Sequence, residues 1–265
     1  MICPCPACRG ADHMAATSNK VLLCGINPGV ESARSQHHYS HHSNHFYKAL
    51  ALSGITSRLF LPSEDATFPS LSPYTIGLTN LASRPTSQAT ELGKEELSAG
   101  APILLGKIRS CRPRLVGFVG KGIAAAFSKA VGDASKGGEA RKTLVVRVPK
   151  ETALAWQPES KSEAGYGLMK VCCLCPTVKA EGTAAEDASG GAGHEEKRVT
   201  LFWSGASTSA RVTSLQLPDK ARWFQRMRGL LDHLKAAGDT QLLAEDLVVS
   251  GEDGEAFKTV ELEVI

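Results

Sequence analysis

Apolar positions along this chain fall into short unbroken runs separated by stretches with helical periodicity. Lys20-Val21-Leu22-Leu23-Cys24 is such a run, closed by Gly25, and its length predicts a strand buried on both faces. Residues 77–81 predict a second short strand, and Arg114-Leu115-Val116-Gly117-Phe118-Val119 is the clearest strand of all. Two more are expected over 143–148 and 199–203. Between them, residues 43–52 carry Phe46, Ala49, Leu50 and Leu52 at helical spacing, with Ser43 as the expected N-cap. Residues 94–109 place Leu97, Ile103, Leu104, Leu105 and Ile108 on one helical face, and Pro113 stops that element. Residues 120–130 read as helical. Pro218 opens a last amphipathic helix through Trp223, Phe224, Met227, Leu230, Leu231 and Leu234.

Strands alternating with helices imply an α/β fold, a three-layer α/β/α arrangement around a central, mainly parallel sheet. In such sheets a ligand sits outside the C-terminal strand ends. Residues 1–19 read as a flexible arm and 20–237 as one domain. Within it, 150–198 breaks the pattern, and the Ala-, Gly- and Glu-rich stretch 180–197 is expected to be a weakly ordered, low-complexity surface insertion. The tail, 238–265, offers 247–249 and 260–264 as candidate edge strands.

Composition narrows the classes. A chain of 265 residues with 42% hydrophobic and 22% charged residues is ordinary for a soluble globular protein. A net charge of +3 permits a polyanionic partner if the basic residues gather on one face. No apolar stretch is long enough to span a bilayer, and no secretory signal is expected at the start. Cys24 and Cys111 adjoin apolar segments and read as buried thiols, which places the chain in a reducing compartment, cytosol or nucleus.

The chemistry concentrates after the first strand. Gly25-Ile26-Asn27-Pro28-Gly29 exposes backbone amides and one side-chain amide at a strand mouth, with Pro28 and Gly29 forcing a tight turn. Alone, that is also what a simple strand-to-turn junction looks like. The spacing makes it specific: Tyr39, in His37-His38-Tyr39, lies twelve residues past Asn27, and Asn44-His45-Phe46-Tyr47-Lys48 begins seventeen past it. This combination resembles the mismatch-specific uracil DNA glycosylase/thymine DNA glycosylase family, especially its eukaryotic branch. The resemblance continues through Gly77-Leu78-Thr79-Asn80 with Arg84-Pro85-Thr86, through Arg114 to the Gly120-Lys121 pair, and into Ser207-Thr208-Ser209-Ala210-Arg211, with Leu217-Pro218-Asp219-Lys220 downstream. It covers roughly residues 20–131 and 199–235.

The resemblance implies a uracil-DNA-glycosylase-like fold and a monofunctional repair hydrolase. Such an enzyme flips uracil or thymine out of G·U and G·T mismatches and cleaves the N-glycosidic bond, leaving an abasic site. It implies that Asn27 holds the attacking water with Thr79 as second contact. The base pocket would comprise Gly25, Ile26, Tyr39 stacking on the extruded base, His38 and Asn44. The loop from Ser207 to Arg211 would enter the DNA, with Arg211 filling the gap, and Lys121, together with Lys48 and Arg84, would contact the backbone. One departure stands out: Trp203-Ser204-Gly205-Ala206 precedes that loop where the family usually has a proline. Asn27 is neutral and cannot act as a general base, so the site depends on water placement and electrostatics.

No cofactor is expected. The cluster His37, His38, His41, His42 and His45 lacks the carboxylates or cysteines of a standard zinc pattern. Cys3, Cys5 and Cys8 with Cys172, Cys173 and Cys175 read as reduced thiols rather than cluster ligands. No phosphate-cradling glycine loop follows a strand. The expected partners are double-stranded DNA with mismatched or modified pyrimidines and downstream base-excision repair proteins, for a nuclear, monomeric protein with no membrane contact. The alternative is a catalytically weakened mismatch-DNA-binding protein of the same fold.

Overall fold

The computed structural model describes residues 20–134, 143–148, 164–176, 197–236 and 257–264. The arm at 1–19 with its three cysteines, the stretch 180–196 and the candidate strand at 247–249 lie outside the described residues. Among the described residues seven strands form one sheet: β1 (Lys20–Gly25), β2 (Thr75–Asn80), β3 (Leu115–Val119), β4 (Thr143–Val148), β5 (Gly167–Pro176), β6 (Lys197–Gly205) and β7 (Phe257–Val264), in the order β2-β1-β3-β6-β5-β7-β4. The first four in that order are mutually parallel, β5 runs antiparallel to β6 and β7, and β4 is parallel to β7. The helices are α1 (Val30–Ser35), α2 (Phe46–Leu52), α3 (Lys94–Cys111), α4 (Lys121–Ala134) and α5 (Leu217–Ala236).

The unbroken apolar runs work as predicted because both sheet faces are covered. Side chains alternate along a strand, and the two sets go to different cores. Val21, Leu23, Leu115, Val119, Leu201 and Trp203 join a core built with α2 and α5, which supply Phe46, Leu50, Trp223, Met227 and Leu230. Leu22, Cys24, Val116, Phe118 and Phe202 join a second core with α3 and α4, which supply Leu104, Ile108, Ile123 and Phe127. The result is the α/β/α sandwich with a mostly parallel centre. No helix among the described residues is long and apolar enough to cross a membrane.

Several local expectations need correction. Ser43 does not cap α2; its hydroxyl pairs with His41 Nδ1 at 2.8 Å, while Asn44 Oδ1 accepts the Phe46 N–H at 2.9 Å. The buried face of α3 is Gly100, Ala101, Leu104, Ile108 and Cys111, and Ile103 points outward, 64% exposed. Gly100 lies so close to the exit of β2 that a Cβ there would meet the Leu81 carbonyl oxygen at 2.0 Å, so α3 is seated directly on the chain leaving that strand. Within the segment 150–198, residues 167–176 form β5, whose Cys172 and Cys173 are buried in the two opposite cores. The 260–264 segment belongs to β7, which lies between β5 and β4 rather than at an edge.

Candidate active site

The parallel strands β1 and β2 end side by side, with Gly25 in register with Asn80. Beyond them the chain opens a cleft of about 720 Å³, bordered by the 25–32 loop, the 37–44 loop, the 86–90 loop and the 207–212 loop. This is where an open α/β sheet binds its ligand, and the volume is that of a small-molecule pocket, roughly 300–1,000 Å³.

The 25–29 loop is fastened to the chain that follows β2. Leu81 N–H donates to Gly25 O at 2.9 Å, Ala82 N–H to Ile26 O at 2.7 Å, and Thr86 N–H to Pro28 O at 3.2 Å. Asn27 is clamped by the same segment: its Nδ2 donates to the Arg84 carbonyl at 2.7 Å and to Thr86 Oγ1 at 2.8 Å. A carbonyl can only accept, so the atom facing Arg84 is the NH2 group, and this fixes the amide's orientation. Thr86 donates its own proton to Gln88 O at 2.8 Å, which leaves its oxygen as the acceptor for Asn27. Both amide hydrogens are thus used. Asn27 Oδ1 remains, on a residue that lines the cleft, as an acceptor with no protein partner among the described residues.

Arg84, half-exposed, is tied into the protein through Nε and Nη2. Its guanidinium holds Glu96 through two bonds of 2.9 Å and the Glu91 carbonyl at 2.8 Å, which braces the segment that holds Asn27. Thr79 is also misplaced by the sequence reading. It pairs in register with Cys24, is fully buried, and accepts a hydrogen bond from Lys107 of α3 at 2.8 Å. Strand alternation turns it away from the cleft, and Asn80, the next residue, lines it instead. Burial pushes the neighbouring Cys24 thiol up to about 12, with Lys107 opposing weakly.

Tyr39 lines the cleft with its backbone in the left-handed region, φ 52°. Such a conformation is uncommon for a bulky residue, and its support is visible. Asp65, fully buried, accepts the His37 ring at 3.0 Å and the His38 N–H at 2.8 Å, and Tyr47 Oη donates to His38 O at 2.7 Å. The Tyr39 ring lies parallel to Phe46, with centroids 3.8 Å apart. Its hydroxyl and Asn80 Oδ1 crowd Gly25, where a Cβ would come within 2.9 and 2.6 Å of them. Only glycine leaves that floor open. His38 lines the cleft at its buried margin, and Asn44 lines it with Oδ1 already occupied by Phe46 N–H.

The 207–212 loop forms the opposite lip. Thr208 borders the cleft as a buried residue, and its carbonyl accepts the His45 N–H at 3.0 Å. Ser207, Ser209 and Ala210 are half-buried and line the cleft, and Arg211 is exposed. Arg211 reaches over to the Ser87 carbonyl at 3.0 Å, bridging the two lips. Lys121 lies outside the cleft lining, exposed at the start of α4 with its ammonium 5.2 Å from the Tyr166 ring centre. Lys48 is exposed on α2.

The structure therefore brings Gly25, Ile26, Asn27, His38, Tyr39, Asn44 and the 207–211 loop to one cleft and leaves Thr79 and Lys121 out of it. Sequence reasoning missed Asn80, Thr86 and Asp65. Thr86 belongs to the Arg84-Pro85-Thr86 block, but its contact with Asn27 spans 59 residues and has no local signal. Among the described residues no group of three or more His, Cys, Asp or Glu is placed to hold a metal ion.

Chemically, the mouth of β1 offers the cleft a neutral amide oxygen, that of Asn27, rather than a carboxylate. Among the described residues that line it, Glu31 is the one carboxylate, and it is paired with Arg34 at 2.6 Å. A half-buried aromatic wall, an amide acceptor and a bordering loop with an exposed arginine suit a flat, uncharged ring attached to a polyanion. Residues 12–167 match the family model of the Uracil DNA glycosylase superfamily. That match spans more than half of the 265 residues, including the whole Asn27–Thr86 clamp and Tyr39, so the chain belongs to the uracil DNA glycosylase superfamily, whose members hydrolyse the bond between base and sugar in DNA.

Proposed function

We propose that the protein is a monofunctional, mismatch-directed DNA glycosylase that excises uracil or thymine opposite guanine, with Asn27 as the residue that holds the attacking water. The observation that carries this reading is the Asn27 clamp. With both amide hydrogens given to Arg84 O and Thr86 Oγ1, Oδ1 is left to accept a hydrogen bond from water at the mouth of β1. An amide cannot take the proton away at neutral pH. The water attacks a sugar carbon that is already becoming cationic as the base departs, and the site contributes alignment rather than basicity.

Such a site favours bases that leave easily and that leave the stack easily. Extrusion costs least at mismatches and unpaired positions, which supports G·U and G·T over correctly paired thymine. Tyr39, backed by Phe46, offers the wall against which the extruded base would stack. Asn44, with Oδ1 committed to Phe46 N–H, has its NH2 group to offer a pyrimidine carbonyl. Arg211 would exchange its Ser87 carbonyl contact for the gap in the duplex. Among the described residues no lysine lines the cleft, in keeping with hydrolysis to an abasic site rather than strand cleavage through an imine.

The test is single-turnover excision from a G·U duplex by the parent protein and by Asn27→Ala. The parent is expected to leave alkali-labile abasic sites. The variant is expected to bind the duplex with unchanged affinity and to cut the rate on the order of 10²–10³-fold, the usual cost of losing one preorganised polar contact. Tight duplex binding by the parent without any abasic product would overturn the enzyme reading and leave a mismatch-binding protein of the same fold.

A further inference from the structure

Lys220, in the first turn of α5, is fully buried. Its ammonium has three hydrogens and three acceptors: Ser209 O at 2.8 Å, Val212 O at 3.3 Å and His45 Nδ1 at 3.4 Å. No carboxylate is among them; the adjacent Asp219 uses its side chain to accept the Gln216 N–H at 2.8 Å. A buried charge without an ion partner is costly, and burial holds this amine below the usual lysine range. Filling the space would need only an apolar chain. What the ammonium adds is a grip on two carbonyls of one loop.

That loop is the cleft lip. Its Thr208 carbonyl is held by the His45 N–H at 3.0 Å, and Val212 N–H turns back to Ser209 O at 3.2 Å. Three carbonyls of the loop, of Thr208, Ser209 and Val212, are thereby held while Arg211 stays exposed. His45 immediately precedes Phe46, against which Tyr39 stacks. One buried ammonium therefore joins the lip that faces DNA to the wall that faces the base.

We propose that Lys220 is a positioning residue for base extrusion: it fixes the 207–212 loop, through the Ser209 and Val212 carbonyls and the His45 ring, in the shape that occupies the gap left by the flipped nucleotide. The proposal rests on the glycosylase reading above. It assigns Lys220 to the step that precedes bond cleavage. Loss of the grip therefore costs most where a base must be pulled from a duplex and least where the base is already unpaired.

The experiment uses the full chain and its Lys220→Met and His45→Phe variants, with saturating protein and uracil placed either in a G·U duplex or in the same strand unpaired. Lys220→Met is expected to slow duplex excision at least tenfold more than single-strand excision, and His45→Phe to act in the same direction more weakly. Deuterium exchange of amides 208–213 in the free protein is expected to quicken in Lys220→Met. Equal losses on both substrates, or exchange unchanged from the parent, would overturn the positioning role. If thermal melting shows Lys220→Met unfolded, His45→Phe, which removes one of the three acceptors, carries the same comparison. A parent protein inactive on both substrates overturns the glycosylase reading instead, and the exchange measurement then decides the loop's dependence on Lys220 alone.

Discussion

The side-chain NH2 of Asn27 donates to the Thr86 hydroxyl at 2.8 Å, across 59 residues of sequence. Thr86 in turn is fixed by its proton's bond to Gln88 O and by its N–H on Pro28 O. The Asn27 amide therefore has one orientation, and Thr86 is half of what sets it. Thr86→Val keeps the shape and removes the acceptor, leaving Asn27 attached only to Arg84 O. Misplacement of a reacting group by about an ångström costs on the order of 10²-fold. We expect Thr86→Val to slow single-turnover excision about 10- to 100-fold with duplex affinity within about twofold, and Thr86→Ser to restore most of the rate. A Thr86→Val enzyme with parental rate would show that Asn27 needs no such support.

Gly25 gives a sharper steric test. An added methyl would lie 2.6 Å from Asn80 Oδ1 and 2.9 Å from Tyr39 Oη, both side chains of the cleft floor. Something must move, and what moves is the site rather than the sheet. Gly25→Ala is expected to keep its fold with a loss of about 1–3 kcal/mol, the usual cost of overpacking. Its excision rate should fall by on the order of 10²-fold, since the displaced groups border the base position. Thermal melting and single-turnover excision measured side by side check this; loss of both fold and activity together would mean that the sheet, not the cleft, absorbs the methyl.

How much of this was legible in the sequence depends on how local each feature is. β1, β3 and α5 are continuous apolar or 3.6-residue patterns and could be read directly. The Asn27 loop could be read because its chemistry lies in five adjacent residues. Thr86, Asp65 and Lys220 could not be read that way, because each acts through a partner 27 to 59 positions away or through carbonyls that any residue carries. The Thr79 error is one of parity. Successive side chains of a strand point to opposite faces of the sheet, and register puts Thr79 beside buried Cys24 and Asn80 beside Gly25. β5 was hidden in a Gly- and Lys-containing stretch, and it becomes a strand by pairing with both β6 and β7.

Thr79 now yields a prediction that separates fold from chemistry. Its hydroxyl accepts Lys107 Nζ at 2.8 Å in a fully buried position. Thr79→Val conserves volume and leaves Lys107, itself half-buried, without that acceptor. The expected cost is about 1–3 kcal/mol of stability, with excision within about threefold of the parent because no cleft group moves. Chemical denaturation and single-turnover rates measure the two effects separately. An excision defect as deep as that of Asn27→Ala would instead return Thr79 to the water site.

Acid sensitivity should report on His45. Burial, then the nearby Lys220 and Lys48 charges, hold its imidazole below the ordinary value of 6.5, and its Nδ1 serves Lys220 only while unprotonated. The unfolded chain takes up a proton at this histidine near pH 6.5, whereas the folded chain does so only at lower pH. Below 6.5 the unfolded state thus binds more protons, and stability rises with pH across that window. The contribution is complete above 6.5 and is lost as pH falls towards the lowered folded value. Glu31, Glu64 and Glu96, each held below the ordinary 4.5 by an arginine partner, release their share only in more acidic solution. Melting temperatures of the parent should therefore decline between about pH 6.5 and pH 5. His45→Phe should show a shallower decline over the same range, starting from a lower plateau because one Lys220 acceptor is gone. Parallel pH profiles for the two proteins would mean that His45 stays in one protonation state on both sides of the folding transition.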